Sequence, residues 1–243
     1  GKIRASWAQV GNDTDAYMLR DYYKIDYDIK GGIFSANNED WMANPNLKNE
    51  TINSWELGLE LKAFDNRVGV DVAYYKKNAK DQIIKIDVPS ATGFKKKMIN
   101  AGNIENKGVE IAVNATPVIT DSGFQWDTQL NWSKNNNKVV SLTEDTKEQI
   151  LSDKSVTFLK IVAHEGGAYG DIYGYAYQRD DKGNVIIGED GVPLRTSDME
   201  LLGNNQPKWM MGWSNTLSYR NFVLSFMFDM RYGGDVYMGS IRA

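Results

Sequence analysis

Seven stretches of this chain alternate apolar and polar residues over about ten residues each. The clearest two are Ser54–Phe64 and Arg67–Lys77, which only Asp65 and Asn66 separate. An ordinary globular strand averages roughly 5–6 residues, whereas a β-strand that crosses a bilayer needs about 9–11. The period and the length therefore predict strands of membrane-spanning size.

The spacing of the stretches predicts how the strands are connected. The other five are Lys2–Val10, Gly108–Thr116, Phe124–Ser133, Trp209–Tyr219 and Phe222–Tyr232. The links alternate between long and short, and the long ones cover 11–53, 78–106 and 134–208. Outer-membrane barrels have short periplasmic turns and longer extracellular loops. The sequence thus predicts an all-β, antiparallel up-and-down section of a transmembrane barrel, with three long extracellular loops and the barrel left incomplete.

One face of these strands is expected to contact lipid. The residues predicted to do so are Trp55, Leu57, Leu59, Leu61, Val68, Val70, Val72, Leu224 and Phe226. Aromatic residues near the strand ends, such as Trp55, Phe124 and Tyr219, are typical of belts at the two membrane interfaces. The same alternation also fits a soluble or secreted β-sandwich that binds carbohydrate, in which this face would be the core.

Composition argues against several other functions. The net charge is −4, which disfavours nucleic acid as a partner. Cysteine is absent and His164 is the only histidine, so thiol chemistry, a Ser-His-Asp triad and a histidine-rich metal site are not expected. The histidine is expected to be a polar loop residue. The acidic pairs at 180–181 and 189–190 are compatible with a secreted glycosidase, the third function considered. Their neighbouring glycines favour solvated turns instead. We expect no enzymatic activity, cofactor or metal.

Several phrases of the chain resemble the SusC/RagA-like TonB-dependent transporters of Bacteroidetes outer membranes. They are RASWAQVGNDTDAY (4–17), NPNLKNETINSWELGLELKAFDNRVGVDVAYYKKNAKDQII (44–84), NAGNIENKGVEIAVNATPV (100–118), GDIYGY (170–175), GNNQPKW (203–209) and YRNFVLSFMFDMRYGGDVY (219–237). The resemblance extends over nearly the whole chain. It implies a bacterial outer-membrane location and a part, towards the C-terminal end, of a barrel of about 22 strands with a plug in its lumen.

The resemblance also implies a function and partners. It implies import of oligosaccharides or peptides, a SusD-like surface lipoprotein as a lid, and energy from the TonB–ExbB–ExbD complex through segments outside this sequence. Residues 1–243 are expected to form one partial barrel without the plug domain and without the final strand. Loop aromatics could contact ligand or lid, and the candidates are Trp41, Tyr173 and Tyr175. Packing inside a large loop is the alternative role for these rings.

Overall fold

A computed structural model describes residues 1–14, 18–28, 33–142, 147–154 and 159–237. The strands in chain order are β1 (Lys2–Asn12), β2 (Tyr23–Asp28), β3 (Ile33–Asn38), β4 (Trp41–Met42), β5 (Glu50–Ala63), β6 (Val68–Asp87), β7 (Lys96–Ile119), β8 (Phe124–Ser141), β9 (Glu148–Lys154), β10 (Leu159–His164), β11 (Tyr169–Gly174), β12 (Glu200–Asn204), β13 (Trp209–Tyr219) and β14 (Phe222–Tyr232). A short 3-10 turn, Ser90–Thr92, separates β6 from β7. Among the described residues, no helix has the length and apolar character needed to span a membrane.

The main sheet contains the seven predicted strands. Its order is β1-β5-β6-β7-β8-β13-β14, and every neighbouring pair is antiparallel. The one parallel pairing that the described residues make is a two-residue contact of β4 with β7. Strands β1 and β14 are the two edges, so the sheet is not closed. The predicted all-β architecture and the incomplete barrel are confirmed.

The second long link is much shorter than the sequence predicted. Strand β6 continues to Asp87 and β7 begins at Lys96, so most of 78–106 is a paired hairpin and only 88–95 connects the strands. The apolar alternation fades after Lys77, yet the antiparallel pairing of β6 with β7 continues to Asp87 opposite Lys96. The ladder is interrupted where Asp81 and Gly102 lie opposite each other, both with positive φ.

Two smaller sheets lie within the long links. One has the order β12-β11-β10-β9 and the other is the β2–β3 hairpin. The sequence suggested a local hairpin between 169–179 and 184–187, and this prediction is only partly right. Arg179 does pair with Val185, but Tyr169–Gly174 pairs with β10 and β12 instead.

The buried apolar residues lie mainly outside the membrane-sized part of the main sheet. Trp41, Ala43 and Met98 form a buried cluster against which Leu47 and Ile83 pack. Val139 on β8 and Val162 on β10 are almost completely buried. The backbone of Val139 exchanges hydrogen bonds with Gly166 and Gly167, in the turn between β10 and β11. The protein's own packing is thus concentrated at the end of the main sheet that carries the long links.

Candidate functional site

One side of the main sheet is apolar across its full width, and we call it the apolar face. A single row in register crosses all seven strands: Ile3, Leu59, Val72, Ile111, Trp132, Met211 and Met230. The next row towards the short turns consists of Leu61, Val70, Val113, Leu130, Trp213 and Phe228. Because side chains alternate along each strand, this register places all nine predicted lipid-facing residues on the apolar face.

The apolar face is open where a soluble sheet would be covered. Leu57 is 51% exposed, Leu59 40% and Leu224 59%. Trp55, Leu61 and Phe226 are likewise exposed, and the three valines are half-buried. A β-sandwich would bury these residues under a second sheet, and no described segment covers them. Contiguous exposed apolar surface of this extent is typical of a contact with membrane or protein.

Aromatic rings mark both ends of the apolar face. At the long-link end Trp209 stacks on Tyr232 at 5.4 Å between ring centroids, and Trp55 contacts Tyr74 at 5.3 Å. At the short-turn end one row joins Phe124, Tyr219 and Phe222. Two aromatic belts that flank an apolar band are a feature of transmembrane barrels.

A polar cluster interrupts the apolar face, and the sequence reasoning missed it. Asn215 is only 2% exposed, and its Oδ1 accepts hydrogen bonds from Trp126 Nε1 and Thr128 Oγ1, both at 3.0 Å. Trp213 Nε1 donates to the same Thr128 hydroxyl at 2.8 Å. These bonds give Asn215 Oδ1 and the two indole N–H groups partners within the apolar face. Asn215 Nδ2 is buried and has no hydrogen-bond partner among the described residues. The available signal was an asparagine at a position where the alternation expects an apolar residue.

The opposite, polar face is organised by side chains that cross a strand. Arg4 on β1 donates from Nη1 and Nη2 to the Asp71 carboxylate on β6, at 2.6 and 2.8 Å, and from Nε to Glu56 at 3.4 Å. Strand β5 lies between them, and its residue opposite Arg4 is Gly58. A Cβ on this glycine would lie 2.5 Å from the guanidinium carbon, so only glycine leaves room for the crossing.

A second crossing repeats this arrangement on the neighbouring strands. Tyr75 on β6 lies over Gly108 on β7 and donates its hydroxyl to Asn135 Oδ1 on β8 at 3.2 Å. An aromatic ring over a glycine also compensates for the missing side chain. An open groove of about 520 Å³ runs along this face, with Glu110 and Asp229 among its lining residues. The polar face thus has fixed charges that suit a wet lumen.

The loop aromatics predicted as contacts lie in different surroundings. Trp41 is 8% exposed within the loop cluster, with Lys85 Nζ 5.1 Å from its ring centre, which favours the packing role. Tyr173 is half-buried and Tyr175 is 38% exposed, both near the end of β11. Burial, and secondly the charges of Asp171 and Glu148, raise the pKa of the Tyr173 hydroxyl. Tyr173 belongs to β11 and Tyr175 follows directly after this strand, whereas Trp41 belongs to the cluster with Ala43 and Met98.

His164 is not the free loop residue that the sequence suggested. It ends β10, and its Nδ1 lies 3.3 Å from Oδ2 of Asp171, a carboxylate that is 5% exposed. The other Asp171 oxygen accepts from Asn204 Nδ2 at 2.7 Å. Asp171 thus links β11 to β12 through Asn204. His164 Nδ1 lies near the same carboxylate but has no hydrogen-bond partner among the described residues.

Comparisons with known proteins agree with this geometry. Residues 2–242 match the family model described as TonB dependent receptor-like, beta-barrel. The chain is 30% identical over 264 residues to TonB-dependent receptor P3 of Formosa agariphila, covering 97% of this chain and 26% of that protein. It is 25% identical over 254 residues to TonB-dependent receptor SusC of Bacteroides thetaiotaomicron, covering 97% and 25%. The chain therefore spans about a quarter of the length of these relatives.

A solved structure shows the same fold. The RagAB peptide importer in its closed-closed state matches with a TM-score of 0.74 at 20% identity, covering 94% of this chain and 26% of that one. The matched family consists of receptors for transport rather than enzymes, and its members are outer-membrane proteins. The chain therefore belongs to the TonB-dependent receptor-like β-barrel family of bacterial outer membranes.

Proposed function

We propose that this chain is part of the barrel wall of an outer-membrane importer that takes up oligosaccharides or peptides. The observation that carries the proposal is the uncovered apolar face, which extends in register across seven strands and has aromatic rings at both ends. A closed barrel needs further strands beyond the edges β1 and β14. Relatives about four times as long have the length to supply them.

The two faces have different roles in this proposal. The apolar face contacts the hydrocarbon, with Leu57, Leu59 and Leu61 on β5 and Leu224 and Phe226 on β14 as lipid contacts. The polar face lines the lumen, next to the plug and the substrate path. There the side-chain bonds of Arg4, Asp71 and Tyr75 stabilise the barrel wall. The long-link end is extracellular, because transmembrane barrels have their long loops outside.

The substrate class is part of the proposal and is supported by the resemblance to SusC/RagA-like transporters. One relative is named SusC and one structural neighbour is titled a peptide importer. We assign to this chain's parent transporter a SusD-like lipoprotein that closes over the loops, and energy from TonB–ExbB–ExbD through the plug. Tyr173 and Tyr175 are the loop residues retained as ligand or lid contacts, since their rings are more accessible than that of Trp41.

An uptake experiment tests the proposal. A strain that lacks the full gene is supplied with labelled oligosaccharides or peptides, and is then complemented with the wild-type gene. The expected result is loss of uptake for one of these two classes, recovery on complementation, and no recovery when TonB is also absent. A co-purified surface lipoprotein is expected when the complete transporter is extracted in mild detergent. Unchanged uptake of both classes would contradict the proposal.

A further inference from the structure

Lysines mark the border of the apolar face on three neighbouring strands. On each strand, the lysine is the first outward-facing residue after the last apolar one at the long-link end. The last apolar residue and the lysine beyond it are Tyr74 and Lys76 on β6, Val109 and Lys107 on β7, and Trp132 and Lys134 on β8. In register, Lys76 lies opposite Lys107, and Lys134 lies opposite Val109. The three lysines therefore lie on adjacent strands, which are spaced about 4.8 Å apart. Lys134 lies one row nearer the apolar band than Lys76 and Lys107.

The charges of this lysine triad are only partly balanced. Two like charges directly opposite each other destabilise a sheet. Glu105, on the same face, reduces the repulsion between Lys76 and Lys107. Its carboxylate lies 2.7 Å from Lys76 Nζ and 3.5 Å from Lys107 Nζ. Lys134 is exposed and has no ion-pair partner in the described part of the chain. Lys138, opposite Glu105, adds a further positive charge.

The depth of the triad determines which anion it can meet. The triad lies immediately beyond the apolar band, at the end with the long links, and points away from the lumen. In the orientation of the proposed function, this is the headgroup layer of the outer leaflet. Lysine side chains extend along apolar surface and keep the ammonium group in this polar layer. Phosphate oxygens accept strong, charge-assisted hydrogen bonds from such groups.

We propose that Lys76, Lys107 and Lys134 form a binding site for the phosphate group of a glycolipid in the outer leaflet. This inference rests on the proposed function, because it requires the apolar face to lie in the membrane. The three ammonium groups donate to the phosphate oxygens, and Glu105 holds Lys76 and Lys107 in position. The site anchors the wall of the barrel at the height where the aromatic belt ends.

The test uses the complete transporter with the triple variant K76Q/K107Q/K134Q. A matched control, K24Q/K48Q/K182Q, removes three exposed lysines that lie elsewhere. Both are purified from outer membranes in mild detergent, and native mass spectrometry measures the phosphorylated glycolipid retained per protein. Rebinding is then measured with phosphorylated lipid A, with dephosphorylated lipid A and with inorganic phosphate. Each lysine is expected to contribute about fivefold in affinity, the equivalent of about 1 kcal/mol per basic group at an anionic surface.

The expected result is retention by the wild type and by the control, and loss by the triple variant. Dephosphorylated lipid A and inorganic phosphate should bind much more weakly than phosphorylated lipid A. Equal retention by the triple variant, or equal binding of either comparison ligand, would overturn the proposal. If the triple variant fails to assemble, the single variant Lys134→Gln, which breaks no described ion pair, should still weaken binding about fivefold. Failure of the wild type to reach the outer membrane would instead overturn the proposed function.

Discussion

Arg4 and Asp71 form a two-bonded ion pair although a complete strand separates them. The guanidinium reaches the carboxylate at 2.6 and 2.8 Å by crossing the backbone of Gly58. A planar, forked donor is needed for this contact, because both carboxylate oxygens are engaged. The pair therefore ties β1, which is an edge of the described sheet, to β6 as well as to its neighbour β5.

Substitution of Gly58 by alanine should break this crossing. The new Cβ would lie 2.5 Å from the guanidinium carbon, so the Arg4 side chain must shift from its path over β5, and we expect its bonds to Asp71 to be lost. We expect the assembled barrel to lose its heat-resistant mobility on gels at a temperature a few degrees lower than the wild type. Gly69→Ala is the matched control, because its Cβ would have only a distant backbone contact at 4.0 Å. A combined variant with Asp71→Asn should show no additional loss, and full additivity would contradict the crossing.

A charge on the apolar face should be far more costly than the same charge on the polar face. Leu59→Arg places a guanidinium in the middle of the apolar band, where the expected cost is about 2–4 kcal/mol of folding free energy. Gln129→Arg, on the polar face of β8, should change the free energy of unfolding by less than ~1 kcal/mol. Urea unfolding of the complete transporter in vesicles provides the measurement. Equal costs for the two arginines would count against the assignment of the faces.

The sequence predicts the positions of the main strands well because the membrane imposes a strict alternation on them. It also predicts which strands pair across the short links. A link of two residues, at 65–66 or 220–221, allows only an antiparallel hairpin between the strands on either side. Outside the apolar band this signal ends, and the extension of β6 to Asp87 could not be recognised. Arg4 and Asp71 are 67 positions apart, and their contact depends on the register of three strands. The burial of Trp41 likewise depends on Met98, which comes from a different part of the chain.

The Asn215 cluster should be important for stability despite being polar. Asn215→Ala removes the acceptor of Trp126 Nε1. It also removes the nearer acceptor of the Thr128 hydroxyl, which keeps Ser214 O at 3.3 Å. Leaving buried donors unpaired is expected to cost about 1–3 kcal/mol. Asn131→Ala, on the polar face of the neighbouring strand, is the control and should have little effect. Urea unfolding of the barrel in vesicles measures both, and an unchanged midpoint for Asn215→Ala would show that water or lipid satisfies these donors.

The turn at Asp180 should be stable at neutral pH and lost in acid. Its carboxylate accepts from the backbone of Lys182 and Asn184 at 2.9 and 2.8 Å, and from Asn184 Nδ2 at 3.0 Å. The Asn184 side-chain bond, followed by the backbone bonds, holds the pKa of Asp180 below its ordinary value. A lowered pKa means that the stabilisation is complete above the unfolded pKa of about 3.9 and is lost as pH falls through the folded value.

Cleavage by an acid-active protease measures this loss in the link that contains Asp180. Cutting at residues 180–184 of the wild type should accelerate as the pH falls below about 4. Asp180→Ala should be cut rapidly at every pH, while Asp181→Asn should behave like the wild type. An Asp180→Ala variant with the wild-type pH dependence would show that another group controls the turn.

If one face of the sheet lies in lipid and the other in water, spin labels on the two faces will be accessible to different relaxing agents. The chain has no cysteine, so single cysteines can be placed at Leu59 and at its neighbour Glu60 in a transporter whose remaining segments are cysteine-free. In vesicles, the label at 59 should be relaxed mainly by oxygen, which dissolves in the bilayer. The label at 60 should be relaxed mainly by a water-soluble nickel complex, or by neither agent if the plug covers it. Preferential access of the nickel complex to position 59 would place this residue in water and contradict the assignment of the apolar face to lipid.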